Sequence, residues 1–244
     1  MSLIAGARNG RAGPGTTLCS MNCKVGVFTP EGAFASAARK LDHLVELGVT
    51  AVEIMPVADF RGRWGWGYDG VYPYAPDSTY GRPEDFKSFV EAAHRRGVAV
   101  LLDVVYNHFG PGGNYLSSFA PDFFTGRHRT PWGKAINFDG ADARPARDFV
   151  IENAEYWIEA FHLDGQRLDA VHSIKDDSRA EIVDEIALRL RSRFGATVHL
   201  LLENTHNEPE RLVRRGRKPV LYTAQWNDDV HHVLHVAATQ EKSG

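Results

Sequence analysis

Three carboxylate residues, Asp103, Asp169 and Glu203, each stand at the end of an apolar run whose composition predicts a β-strand. Two carboxyl groups at neighbouring strand ends suit the cleavage of a glycosidic bond, in which an ionised group attacks the anomeric carbon and a protonated group releases the leaving oxygen. Charged side chains at the exits of successive strands are also how a barrel enzyme assembles its active site at one rim. The pattern therefore predicts a glycosidase site.

The two reacting carboxyl groups need different pKa values, and the neighbouring residues indicate which group is ionised and which is protonated. Arg167 lies two residues before Asp169, so both side chains are on one side of the strand and the guanidinium favours an ionised Asp169. Glu203 follows three leucines and has no cation adjacent in sequence, which predicts a raised pKa and the acid role. An internal ion-pair network around Arg167 is the alternative for any one carboxylate, but three together favour catalysis.

The apolar periodicity predicts six strands that alternate with helices, as in an α/β fold with a parallel sheet. Ser178 and Glu181 predict a capping box at one helix start, and residues 208–215 predict a further helix. No glycine-rich phosphate loop follows the first strand, so the polar strand ends favour a (β/α)8 TIM barrel over a dinucleotide-binding sheet. The predicted strands are residues 21–26, 51–57, 98–105, 166–171, 198–202 and 220–225.

The domain organisation follows from the same patterns. Residues 1–20 lack periodicity and are predicted to be a disordered tail or the remnant of a truncation. Residues 21–244 are predicted to form a partial catalytic barrel, with about the first six β/α units. The stretch 109–144 is rich in Gly, Pro and aromatic residues and is too long for an ordinary connection, so we expect a functional loop there.

The composition narrows the class of protein. The 244 residues are 43% apolar, which is enough for one core, and a net charge of −3 leaves no broad basic face. Two basic clusters lie at predicted helix ends, where the helix dipole favours cations, so nucleic-acid binding is not expected. Two cysteines, Cys19 and Cys23, complete neither a disulfide scaffold nor a zinc site. Because the sequence also contains no long apolar run, it predicts a soluble, cytoplasmic protein without a membrane partner.

Three segments carry a resemblance to a known family: DVVYNH (103–108), GQRLDAVH (165–172) and LLENTH (201–206). They resemble the first three of the four signature regions of the α-amylase superfamily of glycoside hydrolases. Longer segments resemble one branch of it, the malto-oligosyltrehalose trehalohydrolases, and the likeness extends from Phe28 to Thr239. These longer segments are MPVADF (55–60), WGYDGVYPYAPDSTYG (66–81), HFGPGGNYL (108–116) and YTAQWNDDVHH (222–232).

This resemblance implies hydrolysis of the α-1,4 bond next to the terminal trehalose of maltooligosyltrehalose, with retention of configuration and release of trehalose. It makes Asp169 the nucleophile and Glu203 the general acid/base. Arg167 would orient Asp169, and Asp103 would hold Arg167 or a substrate hydroxyl. The implied partner is a small-molecule substrate, maltooligosyltrehalose or another α-1,4-glucan. No cofactor is implied, and two carboxylates suffice for the chemistry without a metal.

Several further residues are assigned roles by the resemblance alone. His108 is expected to hydrogen-bond the sugar beside the scissile bond, and Tyr68 to stack under that sugar, since an aromatic face suits a pyranose; an ordinary core tyrosine is the alternative. Asn107 resembles a calcium ligand of some amylases. Four residues are expected on the trehalose side, with local packing as the alternative for each: His172, Asn204, Trp226 and Asp228.

The sequence also departs from the family pattern. The departures are Gln166 and Thr205 beside the catalytic residues, and Asn22 and Lys24 in the first strand. A fourth signature region, with an Asp that stabilises the transition state, has no match before Gly244. The chain by itself is therefore expected to be inactive or nearly so and to have open strand edges. The alternative functions are a 1,4-α-glucan branching enzyme and an inactive fragment that at most binds α-glucan; the oligomeric state is left open.

Overall fold

The computed structural model describes residues 2–5 and 17–241. The strands in this part of the chain are β1 (Ser2–Ala5), β2 (Thr17–Cys23), β3 (Ala51–Ile54), β4 (Ala58–Asp59), β5 (Tyr72–Pro76), β6 (Ala99–Val104), β7 (Phe124–Thr130), β8 (Gly133–Ile136), β9 (Gly165–Leu168), β10 (His199–Asn204), β11 (Arg214–Arg215), β12 (Lys218–Pro219) and β13 (Ala224–Asn227). The α-helices are α1 (Val25–Phe28), α2 (Phe34–Ala38), α3 (Leu41–Glu46), α4 (Pro83–Arg95), α5 (Leu116–Phe119), α6 (Arg144–Phe161), α7 (Ile182–Phe194) and α8 (Asp228–Thr239). Short 3-10 turns cover Pro121–Phe123, Val171–Ser173, Gly195–Thr197 and Pro209–Leu212.

The main sheet has the strand order β1-β2-β3-β6-β9-β10-β13. From β2 to β13 its six strands run parallel and form a curled half barrel, and β1 pairs antiparallel with β2. Within the described residues β13 pairs with β10 alone, so the barrel is incomplete. The predicted fold class, an α/β barrel that is incomplete in this chain, is confirmed.

The parallel strands are buried on both faces. All six residues of β6 are buried, because helices cover the outer face of the sheet and side chains from neighbouring strands fill the lumen. Helix α4 begins at Pro83, which is favoured in a first turn, and buries Phe86 and Phe89 in the outer core. A smaller cluster on the lumen side consists of Leu18, Ala51, Ala99, Leu101 and Leu201.

Gly165, the first residue of β9, lies where the backbones approach closely. A Cβ at this position would be 2.1 Å from the carbonyl oxygen of His199 and 2.7 Å from Leu101 Cδ2. Because no side chain fits in that space, the glycine allows β9 to pack between its two neighbours.

The start of the chain differs from its prediction. The first parallel strand is Thr17–Cys23 rather than residues 21–26, and Val25–Phe28 is a short helix. Ser2–Ala5 is also a strand, although the sequence predicts a disordered tail over residues 1–20. Residues 17–20 of that predicted tail belong to β2, and its remaining residues lie outside the described part of the chain. Buried Leu18 explains the earlier start, because it anchors β2 in the lumen cluster.

Two helix predictions are corrected. Helix α7 begins at Ile182 without the predicted capping box, because the Asp176 carboxylate takes the bonds that the box would make. It accepts from the backbone N–H of Ser178 at 3.0 Å, the bond that Glu181 would accept in the box, and from Ser178 Oγ at 2.5 Å and the Ile182 backbone N–H at 2.6 Å. Residues 208–215, predicted as a helix, form a four-residue 3-10 turn and the short strand β11.

The predicted functional loop, residues 109–144, contains structure of its own. It holds α5, a 3-10 turn and the β7–β8 hairpin, whose turn includes Trp132. Among the described residues, no helix is both long and apolar enough to cross a membrane.

Candidate active site

The residues predicted to do chemistry meet at the carboxyl ends of three adjacent strands. Asp103 is the fifth residue of β6, Arg167 the third of β9 and Glu203 the fifth of β10, while Asp169 directly follows β9. The register places Asp103 beside Arg167. Because parallel strands end at the same rim, the four side chains converge.

The guanidinium of Arg167 joins the three carboxylates. Its Nη1 donates to Asp103 Oδ2 at 2.5 Å and to Asp169 Oδ1 at 3.0 Å, and its Nη2 lies 2.9 Å from Glu203 Oε2. The Arg167 side chain is only 7% exposed. A planar guanidinium can hold several oxygens in fixed directions, so Arg167 sets the relative positions of the carboxyl groups.

Glu203 is also fixed by the main chain. Ala170 has a left-handed backbone, with a φ of 41°, and its N–H donates to Glu203 Oε2 at 2.8 Å. The expectation that Glu203 has no neighbouring cation is wrong in the folded chain. Strand β10 lies next to β9, which brings Arg167 to Glu203. Its side chain is 25% exposed, against 13% for Asp169.

The electrostatic prediction for Asp169 is corrected. The pKa of Asp169 is raised to about 7, first by burial and then by the neighbouring charge of Asp103, while Arg167 lowers it. Glu203 adds to the rise through its charge and through a hydrogen bond between the two carboxyl groups. Arg167 does not keep Asp169 at an ordinary pKa, because its single charge is shared among several carboxylates.

Asp103 lies at the bottom of the site. It is 1% exposed, and burial raises its pKa to about 7 although Arg167 lowers it. The hydroxyl of Tyr68 donates to Asp103 Oδ2 at 3.0 Å, and burial raises the pKa of Tyr68 as well. Tyr68 is therefore bonded to the carboxylate cluster through its hydroxyl, with its ring half-buried.

An aromatic ring covers the imidazole of His108, a contact that the sequence did not indicate. Its Nδ1 lies 2.7 Å from Asn107 Oδ1, and the Trp132 ring stacks on the imidazole with the centroids 4.0 Å apart and an angle of 11°. Burial lowers the pKa of His108. The predicted long loop thus contacts a predicted sugar-binding residue.

The residues predicted on the trehalose side lie in different surroundings. Asn204 is buried, and its amide donates to Glu208 Oε2 at 2.8 Å. The Trp226 ring centroid lies 5.5 Å from the guanidinium of Arg167. The rings of His172 and His206 are 6.4 Å apart. Asp228 begins α8, and its side chain lies outside the described residues.

A fourth carboxylate of the site, Glu53, was missed by sequence reasoning. It lies on β3, is fully buried, and its Oε1 is 4.0 Å from Arg167 Nε. The available signal was one acidic residue inside an otherwise apolar strand, AVEI. Because burying a charge is costly, such a residue is usually paired or functional.

One group of possible metal ligands occurs among the described residues: His128, Asp139 and Asp177. Arg127 lies 3.5 Å from Asp139 and 3.7 Å from Asp177, and His128 Nε2 lies 2.7 Å from Asp139 Oδ2. The guanidinium supplies the positive charge that these acids face, so the group is an ion-pair cluster. The absence of a catalytic metal stays a prediction.

Known proteins match most of the chain. A family model described as the α-amylase catalytic domain matches residues 13–124. The malto-oligosyltrehalose trehalohydrolase of Saccharolobus solfataricus is 46% identical over 220 residues, which cover 90% of this chain and 38% of that protein. A crystal structure of a Salmonella typhimurium protein, described as a putative α-amylase, has a TM-score of 0.87 and 47% identity and covers 92% of this chain and 38% of that one. The 1,4-α-glucan branching enzyme of Vibrio cholerae is 41% identical over 145 residues, 57% of this chain and 20% of that protein.

The chain therefore spans about two fifths of the length of the curated relatives that match most of it. Its half barrel carries Asp103, Arg167, Asp169 and Glu203 at one rim. The sequence matches and the shared architecture bear on the family and the fold of the chain. The chain belongs to the α-amylase superfamily of glycoside hydrolases.

Proposed function

We propose that this chain forms part of a retaining α-glycosidase that cleaves the α-1,4 bond beside the terminal trehalose of maltooligosyltrehalose. The observation that carries the proposal is the joint attachment of Asp169 and Glu203 to Arg167 at adjacent strand ends. The trehalohydrolase name of a relative that matches 90% of the chain supports the choice of substrate.

In the proposed reaction an oxygen of ionised Asp169 attacks the anomeric carbon. The bond to the leaving oxygen breaks as Glu203 gives that oxygen its proton, and free trehalose departs. Glu203, now ionised, takes a proton from water, which attacks the same carbon and releases Asp169. Two inversions at one carbon give net retention.

In this proposal the surrounding residues bind the substrate and orient the two reacting carboxyl groups. Arg167 holds both reacting carboxyl groups, and Asp103 holds Arg167 from below. His108 hydrogen-bonds the sugar next to the scissile bond, and the half-buried ring of Tyr68 packs against its apolar face. His172, Asn204, Trp226 and Asp228 are assigned to the trehalose side. We also propose a cytoplasmic enzyme without cofactor or metal, in keeping with two free, buried cysteines.

Hydrolysis of maltotriosyltrehalose, followed by proton NMR, tests the proposal. We expect trehalose and α-configured maltotriose as first products, with loss of activity in Asp169→Asn and Glu203→Gln. A β-configured first product would contradict the covalent mechanism, as would a crystal structure with the two carboxyl groups well beyond about 5–5.5 Å. For the 244-residue chain alone we expect little or no turnover, because its barrel is open beyond β13.

A branching enzyme is the second candidate, supported by the match to the Vibrio cholerae enzyme. It would transfer the glucosyl chain to a sugar hydroxyl instead of water. Incubation with amylose distinguishes the two, since new α-1,6 linkages in the NMR spectrum would favour the transferase. An inactive fragment that binds α-glucan is the remaining alternative for the chain as it stands, and calorimetric titration with maltoheptaose measures that binding directly.

A further inference from the structure

Glu53 lies inside the half barrel, below the rim that carries the catalytic carboxylates. It is fully buried on β3, with Asn22 of β2 beside it in register. Its Oε1 accepts from Asn22 Nδ2 at 3.2 Å, and the indole Nε1 of Trp226, on the sixth parallel strand, is buried nearby without a hydrogen-bond partner among the described residues. Its Oε2 has no hydrogen-bond partner among the described residues.

The charges around Glu53 do not favour an anion. Both terminal nitrogens of Arg167 are engaged by Asp103, Asp169 and Glu203. Glu53 faces the remaining nitrogen, Nε, at 4.0 Å, which is too long for a hydrogen bond. Four ionised carboxyl groups around one guanidinium would leave a net charge of about −3 in a water-poor space, a state that buried groups avoid by taking up protons.

We propose that Glu53 is a positioning residue that works in its uncharged, protonated form. The neutral carboxyl fills the lumen beside Arg167 and holds the guanidinium towards the rim without competing for its charge. The charge of Arg167 then stays available to Asp169 and Glu203. This catalytic consequence rests on the proposed function, whereas the protonation of Glu53 does not.

The electrostatics of the group agree with this assignment. Burial raises the pKa of Glu53 to about 7. Arg167, Asn22 and Trp226 lower it, and Glu203 raises it. Asp103, on the next strand, is the other carboxylate that interacts with it. Since the pKa in the folded state lies above that of the unfolded chain, the contribution of Glu53 to stability is complete below pH 4.5 and is lost as the pH rises through about 7.

The test is the pH dependence of unfolding in urea for the 244-residue chain and for Glu53→Gln, which imitates the protonated carboxyl. At pH 8 we expect the folding equilibrium constant of Glu53→Gln to exceed that of the native chain by more than tenfold, since each unit of pKa shift corresponds to a factor of ten. At pH 4.5 the two should agree. Exposed Glu46 at the end of α3 provides the matched control, Glu46→Gln, which should follow the native chain at both pH values.

Infrared spectroscopy at pH 6 gives a second readout that does not depend on unfolding. Asp103 and Asp169 also contribute to the protonated-carboxyl absorption at this pH, so we expect it to lose one component in Glu53→Gln and to be unchanged in Glu46→Gln. A Glu53→Gln variant that is less stable than the native chain at pH 8, with the same infrared band as the native chain, would overturn the proposal, because Glu53 would then serve as a charged partner of Arg167. Failure of every variant to bind maltoheptaose would count against the proposed function and would leave the result on Glu53 unchanged.

Discussion

At the scale of single residues, the site depends on one cation. Asp103, Asp169 and Glu203 bind the guanidinium of Arg167, and Glu53 faces it. Removing one partner of a buried ion pair leaves the other charge uncompensated, which costs far more than the pair contributes. Arg167 therefore matters for folding as well as for the proposed chemistry.

We expect Arg167→Met to destabilise the chain by about 3–5 kcal/mol at pH 8. The loss should be smaller at pH 5, because Asp103 and Asp169, each with a pKa raised to about 7, are then protonated. Urea unfolding at the two pH values measures the difference. Arg39→Met removes an ion pair from an arginine whose side chain is 63% exposed, and should change stability by about 0–1 kcal/mol at either pH. An equal loss at both pH values for Arg167→Met would contradict the electrostatic explanation.

Asp169 should titrate near neutral pH, since its pKa is raised to about 7. The proposed nucleophile must be ionised, so the fraction of competent sites falls as the pH drops below that value. Carbon NMR of the labelled carboxyl measures the titration directly. Because Asp103 raises this pKa and shares Arg167, Asp103→Asn should move the midpoint of Asp169 to lower pH. A midpoint near pH 4 in the native chain would show that Arg167 outweighs burial.

The sequence predicts which residues form this cluster better than it predicts their protonation states. Asp103, Asp169 and Glu203 are recognisable because each ends an apolar run, and Arg167 because it lies two residues from Asp169. The sharing of Arg167 by three carboxylates depends on the distances between strands, which a single sequence does not give. Glu53 was missed because it lies within its strand and not at the strand's exit.

At the scale of secondary structure, the β7–β8 hairpin is the part of the long loop that reaches the site. Its turn places Trp132 flat on His108. The indole remains 45% exposed, so one part of it packs on the imidazole and another faces solvent. The hairpin thus supports a residue to which we assign sugar binding.

We expect Trp132→Ala to weaken maltoheptaose binding by about two- to tenfold, the range that corresponds to the loss of one aromatic pair. Titration calorimetry measures the affinity. Trp64→Ala removes a tryptophan that is 77% exposed and should leave the affinity unchanged. Equal affinities for the native chain and Trp132→Ala would show that the hairpin does not contribute to maltoheptaose binding.

The close approach at Gly165 gives a prediction for strand β9. Gly165→Ala should destabilise the chain by about 1–3 kcal/mol, because the added methyl group meets the backbone of His199. A methyl group added at Gly126 in β7 would have open space for 4 Å around it, so Gly126→Ala serves as the control and should cost much less. Urea unfolding compares the two. A similar cost for both would mean that β9 can shift to make room.

Most elements are predictable because their apolar periodicity is strong. Strands β3, β6, β9 and β10 fall within or close to the predicted segments, and β13 overlaps the predicted segment 220–225 at two residues. The first strand is displaced because Leu18 and Cys19 stand in a stretch that otherwise lacks periodicity. The β7–β8 hairpin is not predicted, since its residues show no clear alternation.

At the scale of the whole molecule, one side of the half barrel is open. Strand β13 has a free edge among the described residues, and helix α8 next to it exposes Val230, Val233 and Leu234. Unpaired strand edges beside apolar surface favour pairing with another chain. The open side is therefore where association should occur.

We expect the chain to self-associate as its concentration rises, and the double variant Val233→Lys, Leu234→Lys to shift it towards the monomer. Sedimentation velocity at several concentrations measures this. Leu188→Lys, which places a charge on a similarly exposed position of α7, should leave the association unchanged. A native chain that stays monomeric throughout would show that the open side does not drive association.

The left-handed backbone at Ala170 bears on how this site could be re-engineered. The amide that follows Asp169 donates to Glu203, so the main chain and Arg167 hold Glu203 even where the side chain of Asp169 is removed. Shortening Asp169 to alanine would leave that amide in place and open a space of about carboxylate size in front of the substrate. A small anion such as formate or azide would occupy such a space, which makes Asp169→Ala in the proposed enzyme a starting point for catalysts that depend on an external nucleophile and transfer the sugar of an activated glycosyl donor to an acceptor hydroxyl.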